Sequence, residues 1–344
     1  MNVLVVGTGS IGQRHCRNLL ALGQQVSAFS YRAQRGQSVV SLPNGVTRCE
    51  SLDDSVMRQF DAIVVANSTH QHIEVAQRAA ELGLPLFIEK PLGASLQGVA
   101  TLTDTVNVNA CVVEAGFMLR FQPNLVWIKR ALEQDMIGEI AYLRAAVGQW
   151  LPDWRPDTDH RQGYGAKRAC GGGVILDLVH ELDAIQWLGG RAEQVVAMTR
   201  HWDALEIETE AIAQVGLTLQ SGVVAQVHMD YVRPLYHRTL EIVGSRGVLV
   251  WDDSAGTVTL SRPGVAPECV HQVDTGFERN QMFLEHMQYF LARIQSPALP
   301  PASSLSDSEQ ALRVALAAHL SAAAKRYVCP ADIATTCSLE ELTT

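Results

Sequence analysis

The stretch Asn2-Val3-Leu4-Val5-Val6-Gly7-Thr8-Gly9-Ser10-Ile11-Gly12 runs an apolar strand into a GxGxxG turn that opens a helix. In that setting the glycines allow a tight turn and a close backbone approach to a pyrophosphate, which the helix N-terminus faces. The plain alternative is a glycine-rich strand–helix turn with no ligand, so the rest of the chain has to decide. Apolar runs recur at 3–6, 26–30, 46–49, 62–66, 84–88 and 111–117, with helical patterns at about 12–22, 52–60, 71–82 and 95–106 between them. Continuous apolar strands alternating with helices imply a parallel sheet covered on both faces. Six of them fit a doubly wound Rossmann sheet over residues 1–119, which favours the dinucleotide reading.

Past residue 120 the pattern changes. A helix at about 123–135 leads into an apolar run at 140–150. A polar and aromatic loop at 151–170, a glycine run and a helix at about 175–188 follow. Strand-like segments then come at 194–201, 211–219, 223–232, 238–243, 248–251 and 257–261, several joined by hairpin-length turns. This predicts an α+β domain over 120–328 with a large, mostly antiparallel, open-faced sheet, closed by helices at about 278–295 and 306–326. A tail occupies 329–344. Met282, Phe283, Met287 and Phe290 form an apolar helical stripe, read as core.

The 344 residues exceed what one hydrophobic core usually supports. A formal net charge of −9 argues against non-specific nucleic-acid binding. No apolar run approaches the ~18 residues needed to span a bilayer, and the N-terminus lacks the basic region of a signal peptide. The seven cysteines are scattered without a CxxC pair, which argues against a zinc site or disulfide framework and for a reducing, cytoplasmic setting. Thr69-His70-Gln71-His72 has no neighbouring cluster to complete a metal ligand set, so no metal is expected.

The second strand ends near Ser30, where an NAD-preferring site usually carries an acid for the ribose 2′-hydroxyl. Here Phe29-Ser30-Tyr31-Arg32 follows, and no Asp or Glu precedes Glu50. Ser30 and Arg32 are placed to donate to a 2′-phosphate, so NADP(H) is expected over NAD(H), which remains usable. The alternative is that Arg32 and Arg35 are solvated loop cations.

Leu84-Pro85-Leu86-Phe87-Ile88-Glu89-Lys90-Pro91 carries a strand into a charged pair at the sheet edge where ligands of such folds sit. A partly desolvated lysine beside an oxidised nicotinamide has its proton affinity lowered and can exchange a proton with a substrate hydroxyl or ketone.

The glycine turn at Gly7, Asn67-Ser68-Thr69 followed by His72, Glu89-Lys90-Pro91, and Cys170-Gly171-Gly172-Gly173 running to Asp183 together resemble the Gfo/Idh/MocA oxidoreductases over nearly the whole chain. The resemblance implies a nicotinamide-dependent oxidoreductase acting on a carbohydrate, polyol or keto sugar, working as a homodimer or homotetramer through the second sheet. It places Lys90 near the reacting carbon, and Gly7, Gly9, Ser10, Ile11, Gly12, Asn67, Ser68 and Glu89 along the cofactor. His72 binds there or packs its own helix.

Within the helix expected at 175–188, Asp177 and His180 share a face, as do His180 and Asp183. A carboxylate orienting an imidazole makes a general acid/base. The family more often spaces these residues by four; the shorter spacing here resembles a sub-branch associated with bacterial surface-sugar or nonulosonic-acid gene sets. The alternative for Asp177 and His180 is a polar helix start bonded to backbone. In the aromatic loop, Trp154 and Tyr164 suit a sugar face and Arg161 or Arg155 suits an acidic group, with Arg120 at the end of the sixth strand a further candidate, unless the loop packs a domain or subunit contact. The rival reading of the whole chain is a regulatory protein that senses the cofactor without turnover.

Overall fold

The computed structural model describes residues 1–31 and 41–335, and the chain divides into two compact units. The first comprises Met1–Met118 and Glu278–Glu309. Its sheet contains β1 (Asn2–Val6), β2 (Gln25–Phe29), β3 (Val46–Cys49), β4 (Ala62–Val65), β5 (Leu86–Ile88) and β6 (Val113–Ala115). All pair in parallel, in the order β3-β2-β1-β4-β5-β6. That is the order of a dinucleotide-binding sheet, with its crevice where the winding reverses beside β1. Val3–Val6 and Ala62–Val65 are fully buried, as central strands covered on both faces must be.

The helix Arg279–Gln295 was expected to close the second domain; it belongs to the first unit. Met287, Phe290 and Leu291 share one apolar cluster with Val3, Val5, Leu19, Val64 and Phe87. Of the stripe read as core, Met282, Met287 and Phe290 are buried and Phe283 is half-buried, but a periodic stripe does not say which sheet it covers. Glu114, wholly buried in β6, anchors the returning segment: it pairs with Arg293 Nη1 at 3.0 Å and His286 Nε2 at 3.2 Å and accepts the Ser303 amide at 2.7 Å.

The second unit comprises Leu119–Phe277 and Gln310–Thr344. Its strands are β7 (Ile140–Gly148), β8 (Ala192–Arg200), β9 (Ile212–Leu219), β10 (Val224–Asp230), β11 (His237–Gly244), β12 (Gly247–Asp252), β13 (Thr257–Arg262) and β14 (Val265–Gln272). They lie in the order β14-β13-β12-β11-β7-β10-β9-β8. All pairs are antiparallel except β7 with β10. Alternate residues are buried along β9 and β11, the mark of a sheet with one covered face. β14 was not foreseen: it is an exposed edge strand carrying Pro267, with no alternation to betray it. Among the described residues no helix is long and apolar enough to cross a membrane.

Candidate functional sites in the two units

In the first unit the glycine turn has the geometry a nucleotide requires. Gly7 sits at φ +114°, and a Cβ there would lie 2.3 Å from the Ala66 carbonyl oxygen; one on Gly12 would lie 1.9 Å from Gly7 O. Side chains are excluded at both positions. A Cβ on Gly9 would meet nothing within 4 Å, so the turn opens on that side. The helix Ser10–Ala21 starts there with no acid in its first turn, leaving its amides and dipole available to an anion. At the exit of β4, the Asn67 side-chain Oδ1 and Nδ2 are shielded from water and have no hydrogen-bond partner among the described residues. A buried amide left so costs ~1–3 kcal/mol, and a ligand in the crevice would satisfy it. These residues fit a dinucleotide.

Other expected cofactor residues are engaged by the protein itself. Ser30, buried at the end of β2, accepts a hydrogen bond from Thr8 Oγ1 at 3.0 Å, which ties the strand to the glycine turn. Arg32 and Arg35 lie outside the described residues. Both ring nitrogens of His72 meet backbone: Nδ1 lies 2.9 Å from Pro91 O and Nε2 3.1 Å from Asn67 O, bracketing the exits of β4 and β5. Burial lowers its pKa. Glu89 turns inward, against expectation. Its Oε1 lies 2.7 Å from Nε2 of buried His15, and its Oε2 accepts the Lys90 amide at 3.1 Å. Burial pushes Glu89 up, but the His15 hydrogen bond and the His15 and Lys90 charges outweigh it and hold the carboxyl below its usual range. Lys90 follows directly, half-buried at the carboxyl end of the sheet.

In the second unit, the helix expected over 175–188 is two helices, Val174–Asp177 and His180–Gly189. Leu178 leaves helical geometry at φ −101°, ψ 26°. No Gly or Pro stands at the break, so tertiary contacts set it. Asp177 is buried and accepts a 2.6 Å hydrogen bond from Tyr231, the residue after β10. Burial and the neighbouring carboxyl raise the Tyr231 pKa well above 10. Gly165 closes over this pair: a Cβ there would lie 2.5 Å from Asp177 Oδ2. The Trp154 ring meets Tyr231 edge-on at 5.3 Å, and its shielded Nε1 has no hydrogen-bond partner among the described residues. His180 is buried at the start of the next helix. Tyr231 was missed by sequence reasoning: it is a strand-end tyrosine like any other until the fold brings it to Asp177.

Two expected substrate arginines are engaged elsewhere. Arg120 forms a buried fork on Asp183, Nε to Oδ2 at 3.1 Å and Nη2 to Oδ1 at 2.6 Å, which anchors the helix His180–Gly189. Buried Arg238 anchors the same helix through Glu181 at 2.7 Å. Arg161 lies half-exposed on the surface between Asp159 and Glu206, at 2.9 and 2.5 Å, so its charge is already matched. Tyr164 lies under the Arg155 guanidinium at 5.9 Å. No group of three or more His, Cys, Asp or Glu placed to hold a metal ion occurs among the described residues.

Residues 1–117 match the model of the oxidoreductase family with an NAD-binding Rossmann fold, and residues 125–250 match the GFO/IDH/MocA C-terminal domain. This chain belongs to the Gfo/Idh/MocA oxidoreductase family. Myo-inositol dehydrogenase Hyg17 of Streptomyces leeuwenhoekii is 27% identical over 94% of this chain and 97% of its own. Myo-inositol 2-dehydrogenase of Thermotoga maritima is 26% identical over 95% and 98%. The structure of levoglucosan dehydrogenase in complex with NADH superposes with a TM-score of 0.82 at 19% identity, covering 96% of this chain and 98% of that one, a likeness of fold. As a member of the family, this chain is an NAD-binding oxidoreductase.

Proposed function

We propose that this enzyme is an NADP(H)-preferring dehydrogenase that interconverts a CH–OH group and a carbonyl on a cyclic polyol or sugar. The observation that carries the reading is Lys90 at the carboxyl end of β5, in the unit whose glycine turn and buried Asn67 amide fit the dinucleotide. Two full-length relatives bear the name of myo-inositol dehydrogenases, which supports a ring polyol as the first substrate class to try. A hydratase of 2,7-anhydro-N-acetylneuraminate from Mediterraneibacter gnavus matches 57% of the chain at 28% identity, which keeps acidic sugars on the panel.

When bound, the nicotinamide supplies the hydride acceptor or donor. Gly7, Gly9, Ser10, Ile11 and Gly12 hold the pyrophosphate, and Asn67 and Ser68 line the ribose and nicotinamide end. Ser30 and Arg32 donate to a 2′-phosphate, a role supported by the absence of any acid before Glu50. Lys90 is the proton-transfer lysine of the first unit. In the second unit His180 serves as a general acid/base, Asp177 is oriented by Tyr231, and Trp154 and Tyr164 offer apolar faces suited to a sugar. Open-face residues Tyr142, Val224 and Met198 are large, apolar and exposed, which supports a homodimer or homotetramer formed through that sheet. The chemistry and scattered cysteines suit the cytoplasm.

The test is nicotinamide reduction or oxidation across a panel of inositols, neutral sugars, keto sugars and acidic sugars with both coenzymes. Lys90→Met and His180→Asn should each lower turnover about 10²–10⁴-fold with coenzyme binding retained. Equal affinity for NADPH and NADH, unchanged in Arg32→Ala, would remove the coenzyme preference. Bound coenzyme with no turnover on any substrate would turn the reading to a sensor.

A further inference from the structure

His15 has no part in the reading above, yet it makes the contact that decides where Glu89 points. It lies in the helix that the glycine turn opens, three residues past Gly12, and is 1% exposed. Its Nε2 meets Glu89 Oε1 at 2.7 Å, and its ring stands edge-on to Phe87 at 5.2 Å. Phe87 is itself gripped by His286 and Phe290, at 4.9 and 5.7 Å, so the plane of the imidazole is set from behind. On the other side Gly116 walls in the carboxylate; a Cβ there would come within 2.9 Å of Glu89 Oε2. Glu89 thus has one orientation open to it, with Oε2 on the Lys90 amide at 3.1 Å.

The carboxylate is held on both oxygens rather than left pointing into open space. It links two elements that frame the nucleotide crevice, the helix behind the glycine turn and the exit of β5. We propose that His15 is a positioning residue for Lys90: by donating to Glu89 it holds the carboxylate that fixes the lysine backbone, and so sets where the ammonium is presented. The proposal rests on the reading of Lys90 as the proton-transfer lysine. Its physical weight is that displacing a reacting group by about 1 Å can cost ~10²-fold in rate.

Three substitutions separate this role from simple packing. His15→Leu fills the space without a donor, His15→Asn keeps a polar amide too short to reach Glu89, and His15→Gln places an amide N–H near the position of Nε2. With myo-inositol as probe and NAD(P)⁺, we expect kcat to fall about 10–100-fold in the Leu and Asn variants and to recover at least partly in the Gln variant. NADPH affinity, read by the fluorescence of the bound coenzyme, should stay within about threefold of wild type throughout. In parallel, acetic anhydride labelling of Lys90, quantified on its peptide, should rise about fivefold or more in the Leu and Asn variants as the lysine loosens. Labelling needs no substrate, so it reads the positioning even if no polyol turns over, and that failure would fall on the proposed function alone. Lys90 labelling indistinguishable from wild type in both Leu and Asn variants, whatever their Tm, would overturn the proposal. So would a Gln variant no closer to wild type than the Leu variant.

Discussion

Glu89 in the first unit and Glu210 in the second are both buried, and the two are held in opposite ways. Glu89 has two donors in hydrogen-bond contact, the His15 ring and the Lys90 amide, and its pKa falls below the usual range. Glu210, just before β9, accepts the Ile175 amide at 3.2 Å, but its nearest histidine nitrogen, His319 Nε2, stands 3.8 Å away. Burial then prevails and pushes Glu210 up to about 7, while burial and the nearby Arg168 push His319 down to about 4. Burial alone therefore does not decide the state of a carboxyl; the balance between burial and the donors and charges in contact does, and one backbone amide is not enough for Glu210. The first unit uses its glutamate as a fixed anion beside Lys90. The second keeps one that readily accepts a proton behind the Asp177 helix, whose first amides it supports.

The strongest way to break this contrast is Glu89→Ala. It strands His15 in the interior, and losing one partner of a buried pair costs about 3–5 kcal/mol, so Tm should drop by roughly 10 °C. Because the folded pKa of Glu89 is depressed, its contribution is present above the usual carboxylate range and is lost as pH falls through the folded value. The gap between wild type and variant, followed in melts across pH, should therefore narrow in acid.

Glu210→Gln should do the reverse. With its folded pKa raised from 4.5 to about 7, the wild-type residue costs stability as pH rises through that interval. The variant keeps an acceptor for Ile175 without the charge and should be more stable at pH 8 by about 3 kcal/mol, with the advantage shrinking towards pH 5. The His319 contribution is common to both proteins and cancels in the difference. A smaller advantage at pH 8 than at pH 5 would mean that Glu210 is held charged like Glu89.

Tyr231→Phe sharpens the comparison within the second unit by deleting the donor on Asp177 and leaving the ring against Trp154. A hydrogen bond of ~1.5 kcal/mol lost from the reacting geometry corresponds to about a tenfold fall in kcat, with KM changing less. The smallest effect is expected for Arg161→Met. Its ion pairs are solvent-exposed, and such pairs contribute little, so Tm and the preference between neutral and acidic sugars should both stay where they are. A selective loss of acidic substrate would restore Arg161 to the binding site.

What was legible from the chain alone is what local pattern encodes. Six short apolar runs separated by helical periods specify a parallel sheet because an unbroken apolar run and a 3.6-residue period are both properties of neighbours in sequence. The turn from Gly7 to Gly12 and the place of Lys90 at the end of β5 follow the same way. The partners of the polar side chains do not: Glu89 finds His15 across 74 residues, Asp183 finds Arg120 across 63 and Asp177 finds Tyr231 across 54. These pairings, the break at Leu178 and the return of Arg279–Gln295 to the first sheet were settled by packing. A carboxyl removed from water must take the donor that the fold brings within 3 Å, and nothing in its neighbours along the chain names that donor.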